Sequence, residues 1–407
     1  MPKAYSMRNY LIILFLGYFS LGISIPAMAL IITSKGYSLK ELGVAMLCFS
    51  ASVMVLEVPS GIFCDAQGRR KGYLVGMTAT LIGTLLLLSR NLILLFVGFA
   101  FNGMGRAFTS GSLDALLIDS HLKENRSLDE VMVGMEITTS LALTCGSLFG
   151  GILLSFGKGG VHLTDYLLLM RGILILFCMV LVWLLITNDS AGIGAKKHTF
   201  IAQVRQFLAS VKDNRFLSVY VLFSLIHGGQ LFSMESYWQP FLQQLLHSDA
   251  HIWILGVVGG SVFAISILGS LLGKSLMKRG KSSIIFLASI LCAFFFEALF
   301  LFVKTPLQFV IIYLGIYLVL GVVSVVGGVL LNQSMSSGVR SSVLSVNSLA
   351  LQGGGMLANL LAIALLAFFP VTIFWGVIAI LGFTSMLSLS RILLQSAPSF
   401  DFKQNLS

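Results

Sequence analysis

Charge is what this sequence has least of. Of 407 residues only 16 are acidic and 26 basic, 10% in all, against 57% apolar residues. A soluble domain could not cover its surface with so few polar groups, so that class is excluded. Histidine (6) and cysteine (5) are also sparse. Cys48, Cys64, Cys145, Cys178 and Cys292 are scattered, with no Cys-x-x-Cys and no paired histidines. They read as small apolar residues within longer segments, and no metal site is expected. No Gly-x-Ser-x-Gly and no nucleotide-binding motif occurs. The chain is therefore not expected to be an enzyme, to carry a cofactor or to draw on nucleotide hydrolysis.

What is present is a series of long apolar runs, and the mean hydropathy is +0.95. Runs beyond about eighteen residues are long enough to cross a bilayer as helices. They do not alternate, which argues against a transmembrane barrel. Twelve spans are expected, at 9–32, 41–64, 72–89, 92–119, 131–155, 166–187, 215–245, 252–277, 283–303, 306–333, 342–369 and 371–394. Lys3 and Arg8 followed by an apolar run and Ala27-Met28-Ala29 imitate a cleavable signal peptide. The run continues through Leu30, Ile31 and Ile32, so an uncleaved first span is preferred.

The net charge of +10 is distributed by side rather than gathered into a nucleic-acid footprint. With the N-terminus inside, nineteen basic residues fall on the inner side and five on the outer, while Arg106 and Arg171 lie within spans. The positive-inside rule then places both termini in the cytoplasm of a cell that carries the protein in its plasma membrane. The longest polar break, 188–214, separates six spans at 1–187 from six at 215–407. Phe200, Val204, Phe207, Leu208 and Val211 recur there at helical spacing, which fits either a helix on the membrane surface or a plain solvated linker. The second half weakly echoes the first: Gly269 through Lys281 takes the place of 61–71, without an aspartate. Such internal repeats are typical of secondary transporters.

The densest charge cluster runs from Glu57 to Lys71 and reduces to Gly61-x-x-x-Asp65-x-x-Gly68-Arg69-Arg70-Lys71. Gly61 and Gly68 would allow close approach and a tight turn. Asp65, Arg69 and Arg70 sit where a helix leaves lipid and could pair in a partly dry site. The string resembles the signature loop between the second and third transmembrane helices of the major facilitator superfamily. The resemblance implies two pseudo-symmetric six-helix bundles and alternating access. It also implies that Asp65 and Arg69, with Asp119 at the end of the fourth span, latch the halves in the outward-open state.

Charges inside spans are expensive, so each needs an account. Glu57 lies about 12 Å from the Asp65 end of its helix by the 1.5 Å rise. It can bind a proton reversibly or anchor the bend at Pro59. Arg106 and Asp114 share the fourth span, either as a functional pair facing a cavity or as a static one. Proton-driven drug exporters of the superfamily carry a buried arginine followed by Gln-Gly in this span. Here the string is Arg106-Ala-Phe-Thr-Ser110-Gly111, with the arginine kept and the glutamine absent. The fifth span keeps Gly146, Gly150 and Gly151 of the superfamily's antiporter signature, with Ser147 in place of its proline. Ordinary small-residue packing is the other reading of those glycines.

By resemblance, spans one, four, seven and ten line a central cavity. Polar and aromatic stripes fall on them: Ser24 in the first, His227, Gln230, Met234 and Trp238 in the seventh, Tyr317 and Asn332 in the tenth. Glu297 in the ninth span has no partner in this scheme. Gly353-Gly354-Gly355 in the eleventh is a candidate hinge or a packing device. The expectation is an all-α integral membrane protein, monomeric, with a small-molecule substrate, protons and the lipid bilayer as partners and no nucleic acid. Its expected work is proton-coupled efflux. The alternatives are a proton-coupled importer of the same fold and a membrane sensor that does not transport.

Overall fold

The computed structural model describes residues 7–110, 112, 128–156, 163–186, 214–248, 251–335 and 340–398. Asp114, Asp119 and the polar break up to residue 213 lie outside the described residues. Among the described residues there is no strand. The long helices are α1 (Met7–Ser24), α2 (Leu39–Gln67), α3 (Arg69–Leu86), α4 (Leu92–Thr109), α5 (Leu128–Phe156), α6 (Asp165–Leu185), α7 (Arg215–Leu246), α8 (Ile254–Met277), α9 (Ser282–Ala298), α10 (Pro306–Gln333), α11 (Arg340–Leu365) and α12 (Val371–Ser396). Single turns occur at Ile25–Ala27, Leu30–Thr33 and Leu299–Phe302. Eleven spans among the described residues are long and apolar enough to cross a membrane. The helix left out is α3, whose eighteen residues begin Arg69-Arg70-Lys71.

The ends of several helices follow from local chemistry. Ser38 and Glu41 form a reciprocal capping box at the start of α2, and Thr305 with Gln308 does the same for α10. Asn91 accepts the backbone N–H groups of Ile93 and Leu94 at the start of α4. Between α2 and α3 stands a single residue, Gly68, at φ +98°. An L side chain is strained there, so the turn depends on glycine.

The chain divides into two compact units, Met1–Lys197 with Leu246–Gly260, and His198–Leu245 with Ser261–Ser407. In the first unit α1 packs along α5, and α2 and α3 both pack on α4. Its core joins Ile13 and Leu14 of α1, Tyr73 and Met77 of α3, and Ile175 and Val182 of α6. Lipid tails are as apolar as these side chains, so packing rather than water exclusion must hold the helices together. Glycine supplies it. A Cβ added at Gly146 would stand 2.4 Å from the Phe19 carbonyl oxygen, and one at Gly150 2.2 Å from that of Ile23. The α1 and α5 backbones therefore touch directly.

In the second unit α9 packs on α10 and α12. Phe216, Tyr220 and Phe223 of α7 meet Phe286, Phe294 and Val326 in one apolar core. A separate aromatic block gathers Phe300, Phe309, Trp375 and Phe241, with Phe300 and Trp375 centred 4.7 Å apart. The three consecutive glycines lie inside α11, which runs helical through them. Gly354 backs onto the Leu225 carbonyl of α7, the packing alternative among the two expectations for that stretch.

Candidate functional site

A cavity of about 260 Å³ opens within the first unit, among α1, α2, α3, α4 and α6. Its lining carries two guanidinium groups, Arg106 from the last turn of α4 and Arg171 from α6, and, among the described residues, no aspartate or glutamate. Arg171 is only 4% exposed. Its Nη2 donates to Asn102 Oδ1 at 3.0 Å, while Nε and Nη1 are buried with no hydrogen-bond partner among the described residues. Asn102 is held in turn by its own donation to the Gly98 carbonyl at 2.9 Å. Arg106 is an exposed side chain whose charge acts on half-buried Glu57 of α2. The remaining wall mixes Ser20, Thr80, Thr109 and Ser110 with Leu21, Phe49 and Met77. Sequence reasoning found Arg106 and Glu57 but assigned nothing to Arg171 or Asn102. The signal was available in the rule that an ionisable residue inside a span is functional until shown otherwise.

The signature loop sits at the α2–α3 junction. Ser60 ties α2 to α4 by donating to the Ala107 carbonyl at 2.9 Å, and Cys64 meets Ser112 at 3.3 Å. Gly72 of α3 lies so close to Cys64 that an added Cβ would fall 2.2 Å from its sulfur. Gly68 makes the expected tight turn, but Gly61 is not a close-approach site here, since an added Cβ meets nothing within 4 Å. Asp65 is exposed and makes no hydrogen bond or ion pair among the described residues, so the pairing expected with Arg69 or Arg70 is absent. Arg70 instead donates to the Trp183 carbonyl at 2.9 Å. That carbonyl lies in the last turn of α6, where unsatisfied carbonyls and the helix dipole favour a cation. An exposed carboxylate offers less, because water screens such a pair.

In the second unit a buried polar chain crosses from α7 to α9. Glu297, with no exposed surface, accepts Gln230 Nε2 at 3.1 Å and Ser233 Oγ at 3.2 Å. His227 Nδ1 lies 3.4 Å from Gln230 Oε1, and its ring stacks on Phe223 at 5.2 Å. Trp375 donates its indole N–H to the Ser233 carbonyl at 3.0 Å. This accounts for Glu297, which sequence reasoning left without a partner. Its partners lie 64 and 67 residues away on another helix, so spacing could not show them.

The other expected cavity residues are spread out. Met234 and Trp238 are buried, and Trp238 stacks on Tyr313 at 5.4 Å. Tyr317 is buried and packs edge-on against Tyr313 with ring centres 5.1 Å apart. Asn332 is exposed and donates to the Gly328 carbonyl of its own helix at 2.8 Å. Ser24 is likewise spent on the Leu21 carbonyl at 2.7 Å. Gly146 and Gly150 pack against α1, and Gly151 backs onto Gly256 and Trp253 in the 246–260 segment of the same unit.

The sequence profile of the Major Facilitator Superfamily matches residues 10–359, most of the chain. The chain belongs to that superfamily. Solved superfamily-type structures resemble it over nearly its whole length. A mutant of the nucleoside transporter NupG aligns with a TM-score of 0.80 at 14% identity, covering 96% of this chain and 99% of that one. A POT family transporter in complex with 5-aminolevulinic acid gives 0.72 at 13% identity, covering 95% and 96%. A bacterial homolog of the human lysosomal transporter Spinster, inward-facing and unoccupied, gives 0.66 at 15%, covering 97% and 98%. At such identities the likeness speaks of the fold alone. An uncharacterized transporter from Buchnera aphidicola subsp. Schizaphis graminum (strain Sg) is 33% identical over 104 residues. That match spans 25% of this chain and about a quarter (26%) of the relative. The eleven described helices of membrane-spanning length and apolarity in this chain accord with that superfamily.

Proposed function

We propose that the protein is a secondary active transporter that exports a small organic molecule by alternating access in exchange for protons. The observation that carries the proton coupling is Glu297: a fully buried carboxyl inside a span, held by the neutral donors Gln230 and Ser233. A carboxylate with a basic partner is fixed in its charged form. One held only by neutral donors can take up a proton and release it, at the cost of rearranging two hydrogen bonds. Glu57, within electrostatic reach of Arg106, and Asp114 are the further acids of the coupling scheme. The outward direction is supported by the Gly146, Gly150 and Gly151 pattern of the fifth span and by its close backbone contact with α1. In this reading the one-residue junction at Gly68 and the charges around it, with Asp119, form the conformational switch. The six spans at 1–187 and the six at 215–407, joined by the polar break at 188–214, act as the two six-helix bundles of a twelve-span protein with both termini in the cytoplasm. It works as a monomer in the plasma membrane.

The test is proton movement in proteoliposomes loaded with a pH-sensitive dye and challenged with a panel of drugs and metabolites. A compound-dependent pH change that is lost in Glu297→Gln or in Asp114→Asn supports coupled exchange. If a compound is transported with no pH change, coupling to protons is wrong. If compound and protons move in the same direction across the liposome membrane, exchange is wrong and the importer reading takes its place.

A further inference from the structure

We infer that the cavity of the first unit is a binding site for the charged group of a small organic anion, held between Arg171 and Arg106. This deepens the transporter reading above and rests on it for the ligand's being a cargo.

Arginine stays protonated in any protein environment, so Arg171 carries its charge into a buried place. Of its three nitrogens only Nη2 has a partner among the described residues, and that partner is the neutral Asn102. Nε and Nη1 have none among those residues. Buried polar atoms without partners are rare, and a buried cation without a counter-charge is rarer. Among the described residues no carboxylate lines the cavity to supply one. The second lining cation, Arg106, comes from the neighbouring helix, so two positive groups face one small space. The nearby acid that feels Arg106, Glu57, lies outside the lining and makes no ion pair with it among the described residues. The Thr80 and Thr109 hydroxyls donate to carbonyls of their own helices, Gly76 and Gly105, and neither bonds a guanidinium group among the described residues.

The ligand chemistry follows. A guanidinium is matched by a carboxylate or a phosphate, whose oxygens accept the strong charge-assisted bonds that Arg171 leaves unmade. Leu21, Phe49 and Met77 on the same wall suit an apolar body. The volume of about 260 Å³ admits a compact molecule, such as an aromatic or short-chain acid. A cationic molecule would be repelled by both arginines.

The experiment uses the full-length protein in nanodiscs. Benzoate, phenylacetate, hexanoate and phenyl phosphate are each paired with the neutral amide or alcohol of the same shape. Binding is read as saturable thermal stabilisation. At least one anion is expected to bind, with its neutral mate at least tenfold weaker. Arg106→Gln, an exposed change that should leave folding intact, is expected to weaken binding at least tenfold. Asn102→Asp keeps size and sets a carboxylate against Arg171; it should abolish binding by supplying the missing charge internally. The inference is overturned if no anion binds, if neutral mates bind equally, or if both variants bind as the unaltered protein does. Counterflow of the same compounds separates the two readings. An anion that binds but is not carried leaves the site standing and removes its role in transport. Neutral or cationic compounds carried while no anion binds leave the transporter standing and remove the anion site.

Discussion

Replacing Glu297 separates its structural role from its chemical one. Glu297→Ala removes the acceptor for Gln230 Nε2 and for Ser233 Oγ. A hydrogen bond to a charged acceptor contributes about 1.5–3 kcal/mol, and a stranded buried donor costs about 1–3 kcal/mol. The alanine variant should therefore lose about 3–5 kcal/mol, within the range for breaking a buried charged network. Glu297→Gln keeps the volume and one acceptor oxygen, so its loss should stay near 1 kcal/mol. The glutamine cannot take up or give a proton. It should melt close to the unaltered protein in a detergent thermal-shift assay and still exchange substrate across liposomes at equal pH. Accumulation driven by a pH gradient should disappear. Full gradient-driven transport by the glutamine variant would refute the coupling argument. An alanine variant as stable as the parent would refute the hydrogen-bond argument, independently of transport.

Other outcomes follow from single contacts. Gly150→Ala should destabilise by about 1–3 kcal/mol, read by thermal shift, because its Cβ would collide with the Ile23 carbonyl, oxygen to carbon at 2.2 Å. Gly68→Ala should cost about 1 kcal/mol, because an L residue must adopt φ +98°; equal melting temperatures would count against a glycine-dependent turn. Lys35, outside the spans, donates to the carbonyls of Leu87 and Ser89, and burial holds its ammonium below the usual lysine range, with Asp165 opposing and Arg90 adding to the shift. A lysine so depressed binds its proton more weakly folded than unfolded, so stability should rise as pH climbs toward the ordinary lysine value. That rise should shrink in Lys35→Met, measured by melting across alkaline pH.

The helices were legible because each needs only a local property, an apolar run of spanning length. The capping residues Ser38, Asn91 and Thr305 were equally local, although nothing singled them out beforehand. The family was legible because the loop from Gly61 to Lys71 is one contiguous string. The candidate sites were legible only in part, since a site is made of residues far apart in the chain. Arg171 and Asn102 meet across 69 residues, and no spacing rule connects them. Glu297 was visible as an anomaly, and its partners Gln230 and Ser233 were visible as polar residues in a span or not at all. The match appears only when α7 and α9 lie side by side. The Asp65–Arg70 pair, not made among the described residues, shows the opposite case. Adjacent opposite charges suggest a pair, but exposure weakens it and the α6 carbonyl offers Arg70 a better partner.

The single-residue junction at Gly68 has a mechanical consequence. With no loop between them, α2 and α3 have no slack, and a tilt of one is delivered to the other as a lever arm moves about its pin. Ser60 fastens the end of α2 to α4, Cys64 meets Ser112 just past the end of α4, and Arg70 fastens the start of α3 to the end of α6. Any motion at this end of the first unit is therefore shared by four helices at once. Lengthening the hinge by a few flexible residues would let each helix move alone and disconnect that shared stroke.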